Sequence, residues 1–217
     1  MSTPPDTTRV RPHFTLGPYL PAGLGPLRGV ATRLLDRGLG LTGLNAVYHA
    51  IPPDLDPHTF ARCTLDGFGV EVRVDDGSLE NIPASGPCIV VANHPHGGLD
   101  GVAMVEVLMR RRPDLRVMAN YLLDNFIELA PIFIGVDPFG GRDSARSNFS
   151  AVRRALAWLR SGGVLFMFPG GEVSSFNLRT RVLSDPPWDA GIGWLVEKSG
   201  APVVPAFIGS TPSDVPQ

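Results

Sequence analysis

From residue 70 onward the chain alternates short apolar runs with helix-patterned stretches, and that alternation leaves few folds open to it. Cys88-Ile89-Val90-Val91-Ala92 is apolar at every position, as a strand must be when both faces of its sheet are covered. Further strands are expected over residues 115–118, 132–136, 164–168 and 203–208. Val70, Val72 and Val74 also alternate as in a half-buried strand, ahead of the Asp75-Asp76-Gly77 turn. Residues 100–110, 121–129, 144–160 and 190–198 have helical spacing. In the first of these helices Val102, Val105 and Met109 share a face and Asp100 is the expected N-cap. In the third, Phe149, Val152, Leu156 and Leu159 mark the expected buried face. Such alternation means an α/β fold, a mostly parallel sheet flanked by helices.

The N-terminal part has a different character. Residues 1–26 carry six prolines and read as a Pro/Gly-rich arm. Residues 27–53 read as an amphipathic helical segment, in which Leu27, Val30, Leu34 and Leu41 recur between Arg28, Arg33 and Arg37. It is either one helix or a broken pair, stopped by Pro52 and Pro53. One face can cap the core while another lies on a membrane surface, with Arg110-Arg111-Arg112 as a second local source of cations. Residues 54–217 are expected to form the α/β domain. No apolar run approaches the ~20 residues of a bilayer span, and residues 1–14 lack the plan of a signal peptide. A cytoplasmic location is expected. The net charge of −2 offers no broad basic field for nucleic acid. Cys63 and Cys88 supply neither a disulfide framework nor a zinc site. Gly38-Leu39-Gly40-Leu41-Thr42-Gly43 matches a dinucleotide-binding pattern, but helix-like sequence precedes it where a strand is required, so the match reads as accidental.

Parallel sheets bind ligands beyond the carboxyl ends of their strands, which directs attention to three loops. After Ala92 comes Asn93-His94-Pro95-His96-Gly97-Gly98-Leu99-Asp100. Histidine moves protons near neutral pH, and a carboxylate on its other ring nitrogen fixes the tautomer. Two glycines let the backbone double back, so that Asp100 comes within reach of His94 or of His96; spacing alone does not choose between them. After the 164–168 strand, Phe168-Pro169-Gly170-Gly171-Glu172-Val173-Ser174 brings consecutive glycines whose N–H groups can line an anion or oxyanion site, with Glu172 its acid. The third loop, residues 137–143, ends at Arg142 ahead of a basic helix, where a guanidinium can hold a phosphate or carboxylate. The plainer alternatives are a helix-capping Asp100, a solvent-facing Glu172 and an Arg142 paired with Asp143.

Taken in order, Asn93-His94 with Asp100, Phe168-Pro169-x-Gly171 with Ser174, and Pro202-Val203-Val204-Pro205 resemble the glycerolipid (lysophosphatidate-type) acyltransferase superfamily. The resemblance covers residues 79–208. It implies that His94 is the general base, that Asp100 orients it, that the loop Phe168, Pro169, Gly170, Gly171, Glu172 and Ser174 helps to hold the acceptor, and that Arg142 contacts the acceptor's anion. It selects His94 over His96. Five residues separate His94 from Asp100 where the superfamily has four, and Phe-Pro-Gly-Gly replaces Phe-Pro-Glu-Gly. Both departures resemble a bacterial branch labelled hemolysin-like and related to lyso-ornithine-lipid acyltransferases. Members of the family continue past the point where this chain stops, so the C-terminus is expected to be truncated.

The expectation is therefore an O-acyltransferase of phospholipid or aminolipid biosynthesis, peripheral on the inner face of the cell membrane. It would move a fatty acyl group from acyl-CoA or acyl carrier protein to a lysolipid or glycerol-phosphate-like hydroxyl, with no cofactor and no metal. A metal-dependent hydrolase using His94, His96 and Asp100 is one competing reading, weakened because no histidine follows His96. A non-catalytic membrane-associated lipid-binding protein is another, weakened by the complete His–Asp pair.

Overall fold

The computed structural model describes residues 11–120, 125–137, 142–177, 181–188 and 191–209. In chain order its strands are β1 (Cys88–Ala92), β2 (Leu115–Asn120), β3 (Phe133–Val136), β4 (Val164–Met167), β5 (Ser175–Asn177), β6 (Val182–Ser184) and β7 (Val203–Ala206). Its α-helices are α1 (Arg28–Gly38), α2 (Leu41–Ala50), α3 (Pro57–Gly67), α4 (Gly98–Arg111), α5 (Arg142–Arg160) and α6 (Gly191–Ser199). Five strands make one sheet in the order β3-β2-β4-β1-β7, every neighbour pair parallel. This is the α/β fold that the alternation implies. A two-stranded antiparallel pair, β5 with β6, stands apart from it and has no counterpart in the sequence reading.

Side-chain parity divides the core into two layers. Cys88, Val90 and Ala92 of β1 and Val164 and Phe166 of β4 point to one face, against Val105 and Leu108 of α4, Phe60 of α3 and Tyr48 of α2. Ile89, Val91, Leu165 and Met167 point to the other, against Ala151, Ala155 and Leu159 of α5 and Leu195 of α6. β1 and β4 are buried throughout because packed side chains cover both of their faces, whereas β7 is an edge strand with alternate residues exposed.

Several elements differ from their sequence expectation. Residues 70–74 are extended and alternate in burial but pair with no strand; without a sheet edge to join, alternation is not enough to make a ladder. Of the helix expected over 121–129, residues 121–124 lie outside the described residues. The remainder forms turns ending in a short 3₁₀ segment, Ala130–Ile132. The fully buried face of α5 is the line Ala151, Ala155 and Leu159, of which the sequence pattern marks only Leu159. Phe149, two residues away around the helix, is exposed, and Val152 and Leu156 are only partly buried.

The N-terminal helix is the broken pair. Gly40 adopts φ +73°, a left-handed conformation that favours glycine, and the chain turns there from α1 into α2. The GxGxxG match is thus a helix break. α2 caps the core through Tyr48, while α1 buries nothing. Part of the arm is docked: Phe14 packs on Tyr48 and Phe126, and its backbone exchanges two hydrogen bonds with the Asn45 amide. Arg11 binds the buried Glu128 and the carbonyls of Tyr48, Ile51 and Pro52. Burial, first, and the nearby Glu128 carboxylate push the Tyr48 phenol up to about 12.

The Arg110-Arg111-Arg112 run is divided by the fold, with Arg110 and Arg111 exposed and Arg112 buried. Arg110 is held bidentately by Glu106, and Arg111 reaches the Ile82 carbonyl. Arg112 is buried, forked onto Asp114 and bonded to the carbonyls of Pro83, Gly86 and Gly162.

Candidate active site

Because β1, β4 and β7 are parallel and in register (Val91 beside Met167, Ala92 beside Ala206), their carboxyl ends deliver three loops to one edge of the sheet. Parity then decides what meets there. His94 continues the face of Val90 and Ala92, and Phe168 continues the face of Phe166. Both therefore emerge on the α4 side. Their rings stack with centroids 3.8 Å apart and planes at 15°, and Phe168 in turn packs edge-on against Phe166.

Asp100 lies in the first turn of α4 and is 3% exposed. It is not the N-cap: that position is Gly97, whose φ of +68° turns the chain back over the helix end. The freed carboxylate binds both histidines. Oδ2 meets His94 Nδ1 at 3.0 Å and accepts the His96 N–H at 2.7 Å, and Oδ1 meets His96 Nδ1 at 2.9 Å. Burial by itself raises the Asp100 carboxyl, but the hydrogen bonds from His94 and His96 outweigh it, and its pKa lies below the usual carboxylate range. The helix N-terminus favours the same anionic form. Since an ionised carboxylate only accepts, Nδ1 carries a proton on both rings, and in the neutral imidazole Nε2 is then the nitrogen with the lone pair. Such a pair can take a proton from a hydroxyl and stabilise the resulting imidazolium. His94 is the more enclosed of the two, 16% exposed against 39% for the His96 side chain.

Among the described residues no group of three or more His, Cys, Asp and Glu side chains is arranged to hold a metal ion. The two imidazoles aim Nδ1 at opposite oxygens of one carboxylate and do not converge on a common point.

The remaining candidates divide by what they touch. The Asn93 amide brackets the backbone of Ile208, accepting at 2.7 Å and donating at 2.8 Å, so it extends the pairing of β1 with β7. The Gly171 N–H donates to the Phe168 carbonyl at 3.0 Å, closing a turn with φ +70° at Gly171, so in this conformation it is engaged within the loop. Gly170 lies close to the segment after β6: a Cβ there would stand 3.2 Å from the Pro186 ring, a tight contact. Pro169 is buried and Glu172 exposed. Ser174 donates its N–H to the His94 carbonyl at 2.8 Å and its hydroxyl to Asp185. Arg142 begins α5, but its side chain lies outside the described residues.

Asp185 is the site residue that sequence reasoning missed. Its Oδ1 accepts the His94 N–H at 3.2 Å as well as the Ser174 hydroxyl. The available signal was an acid held extended by the Pro186-Pro187 that follows it.

A parallel α/β sheet that carries an imidazole–carboxylate pair, backed by a Phe-Pro loop, at the carboxyl ends of its strands is an arrangement able to exchange a proton with a hydroxyl. The particular family follows from comparison. A family model described as acyltransferase matches residues 18–215, and the chain belongs to that acyltransferase family. The chain is 35% identical over 106 residues to a lyso-glycine lipid O-acyltransferase of Phocaeicola vulgatus, covering 48% of this chain and 36% of that protein. It is 30% identical over 146 residues to a lyso-glycine lipid O-acyltransferase of Bacteroides thetaiotaomicron, covering 67% of this chain and 51% of that protein. The matched part thus spans about half or less of these curated relatives. No helix among the described residues is long and apolar enough to cross a membrane.

Proposed function

We propose that the chain carries the site of an O-acyltransferase that moves a fatty acyl group from an acyl thioester, acyl-CoA or acyl carrier protein, to the hydroxyl of a lysolipid. One observation carries the reading: a buried, ionised Asp100 holds His94 Nδ1–H while Phe168 fixes the ring, so that Nε2 is left as the base. In the reaction, Nε2 takes the acceptor's hydroxyl proton and the oxygen forms a bond to the thioester carbonyl. The tetrahedral intermediate collapses with cleavage of the C–S bond, and the proton passes from the imidazolium to the leaving thiolate. Atoms and charge balance without an acyl-enzyme or a cofactor. The relatives named for a lyso-glycine lipid support an acceptor of the lysolipid class. Isotopically labelled acyl donors offered with a panel of glycine, ornithine and phosphate-headed lysolipids test the reading. Transfer to none of them, by a folded protein, overturns it.

Arg142 is the proposed contact for the acceptor's anion. Arg142→Ala is expected to raise the acceptor KM and leave the donor KM nearly unchanged, by the about 1.5–3 kcal/mol of a charge-assisted hydrogen bond. An unaltered acceptor dependence removes Arg142 from the site.

The proposed membrane-facing element is α1. Leu27, the N-cap of α1, and Val30 and Leu34 on it are 66%, 52% and 67% exposed, and Arg33 and Arg37 are exposed on the same helix. Such a helix lies in the lipid interface without crossing it. Removing the whole N-terminal segment would also remove Tyr48 and the Arg11 tie, so substitution is the cleaner probe. Changing Leu27, Val30 and Leu34 together to serine should abolish co-sedimentation with anionic phosphatidylglycerol vesicles while leaving the thermal midpoint in place. Undiminished sedimentation would move the membrane contact elsewhere.

A further inference from the structure

The loop that bears His94 is gripped from outside the sheet. Its N–H donates to Asp185 Oδ1 at 3.2 Å, and its carbonyl accepts from the Ser174 N–H at 2.8 Å. The same Asp185 oxygen accepts the Ser174 hydroxyl, which closes a three-membered ring of contacts: His94 backbone, Ser174, Asp185. Ser174 immediately precedes β5 and Asp185 immediately follows β6, so both gripping residues stand at the open end of one short hairpin. Next in sequence, Pro186 packs where a side chain at position 170 would be, which fixes the Phe-Pro loop against the same segment. Both main-chain polar groups of His94 are therefore set by residues far from it in sequence. The ring is set separately, by Asp100 and Phe168.

We infer that Asp185 is a positioning residue for His94: with Ser174 it clamps the His94 backbone so that the imidazole is held both by its ring and by its main chain. This rests on His94 being the base, as proposed above. The role needs an acceptor oxygen at Asp185. It does not need a charge, because the groups that it receives are a backbone N–H and a hydroxyl. A displacement of ~1 Å at a reacting group can cost ~10²-fold in rate, and loss of the clamp should act on kcat, since no acyl donor or acceptor contact is removed.

The full chain with Asp185→Ala, Asp185→Asn and Ser174→Ala distinguishes this role. Asp185→Ala should lower kcat by ~10²-fold, the cost of a ~1 Å displacement, with the donor KM near wild type, and should speed hydrogen exchange at the His94 amide and modification of His94 by diethyl pyrocarbonate. Asp185→Asn keeps the acceptor oxygen and should restore most of the rate and the slow exchange. Ser174→Ala should fall between them. Exchange and modification are read without turnover, so an inactive wild-type protein that still shows these differences would sink the acyltransferase reading and leave the clamp standing. Unchanged exchange at His94 in a folded Asp185→Ala protein overturns the clamp. An Asp185→Asn protein as impaired as Asp185→Ala also overturns it, in favour of a charge that acts directly on a substrate.

Discussion

His94→Ala is expected to lower kcat by ~10²–10⁴-fold with the thermal midpoint little changed, which is the usual contribution of a general base. Asp100→Asn should lose a comparable amount. The amide can offer its NH₂ to Nδ1, and that leaves the proton on Nε2, the wrong tautomer for a base. The double variant should be no worse than the poorer single, since the two residues act as one unit. His96→Ala should be milder, because its ring is more exposed and lacks the Phe168 stack. Steady-state kinetics at saturating donor decides the assignment: a silent His94→Ala beside an inactive His96→Ala would mean that the wrong imidazole has been chosen. The pH dependence has a definite sign as well. The Asp100 carboxyl is depressed in the folded protein, so its stabilising contribution is complete above the ordinary carboxylate pKa of about 3.9 and disappears as pH falls through the depressed folded value. No limb of the rate profile at neutral pH should belong to Asp100.

Arg112→Ala should destabilise the fold by about 3 kcal/mol while sparing the site chemistry. Three part-buried carbonyls, of Pro83, Gly86 and Gly162, lose their donor at once, each costing about 1 kcal/mol, the low end of the about 1–3 kcal/mol for a fully buried unpaired acceptor. Asp114 is part-exposed, so the ion pair itself adds little, and water reaching the vacated space offsets part of the loss. At about 2–4 °C per kcal/mol for a domain of this size, the midpoint should fall by about 6–12 °C. Arg112→Lys should rescue little, because an ammonium cannot reproduce the planar fork that spans four partners. Thermal and urea unfolding measure this directly, and a midpoint within a degree of wild type would show that the network is not a structural tie.

The arginines show most clearly why a sequence can be misread. Arg110-Arg111-Arg112 is a plain cationic run in the sequence. In the fold, one member is neutralised by a buried glutamate four residues back, and another ties the ends of three loops together. Periodicity likewise marked Phe149 as buried. The α5 interface instead centres on the line Ala151, Ala155 and Leu159, which places Phe149 off the buried face.

Local pattern determined the strand–helix alternation, the apolar central strand β1 and the parallel sheet, because burial on two faces and helical spacing are written into neighbouring residues. It also pointed to the loops at the strand ends, where ligand sites in such sheets lie. Motif order placed His94, Asp100 and Phe168 together. Tertiary structure decided the rest. Asp100 receives both histidines because Gly97, not Asp100, holds the cap of α4. Asn93 and Gly171 use their amides within the scaffold because the β1–β7 register and a tight turn claim them. Asp185 reaches His94 from ninety-one residues away, a contact that only the β5–β6 hairpin creates and that no spacing along the chain records.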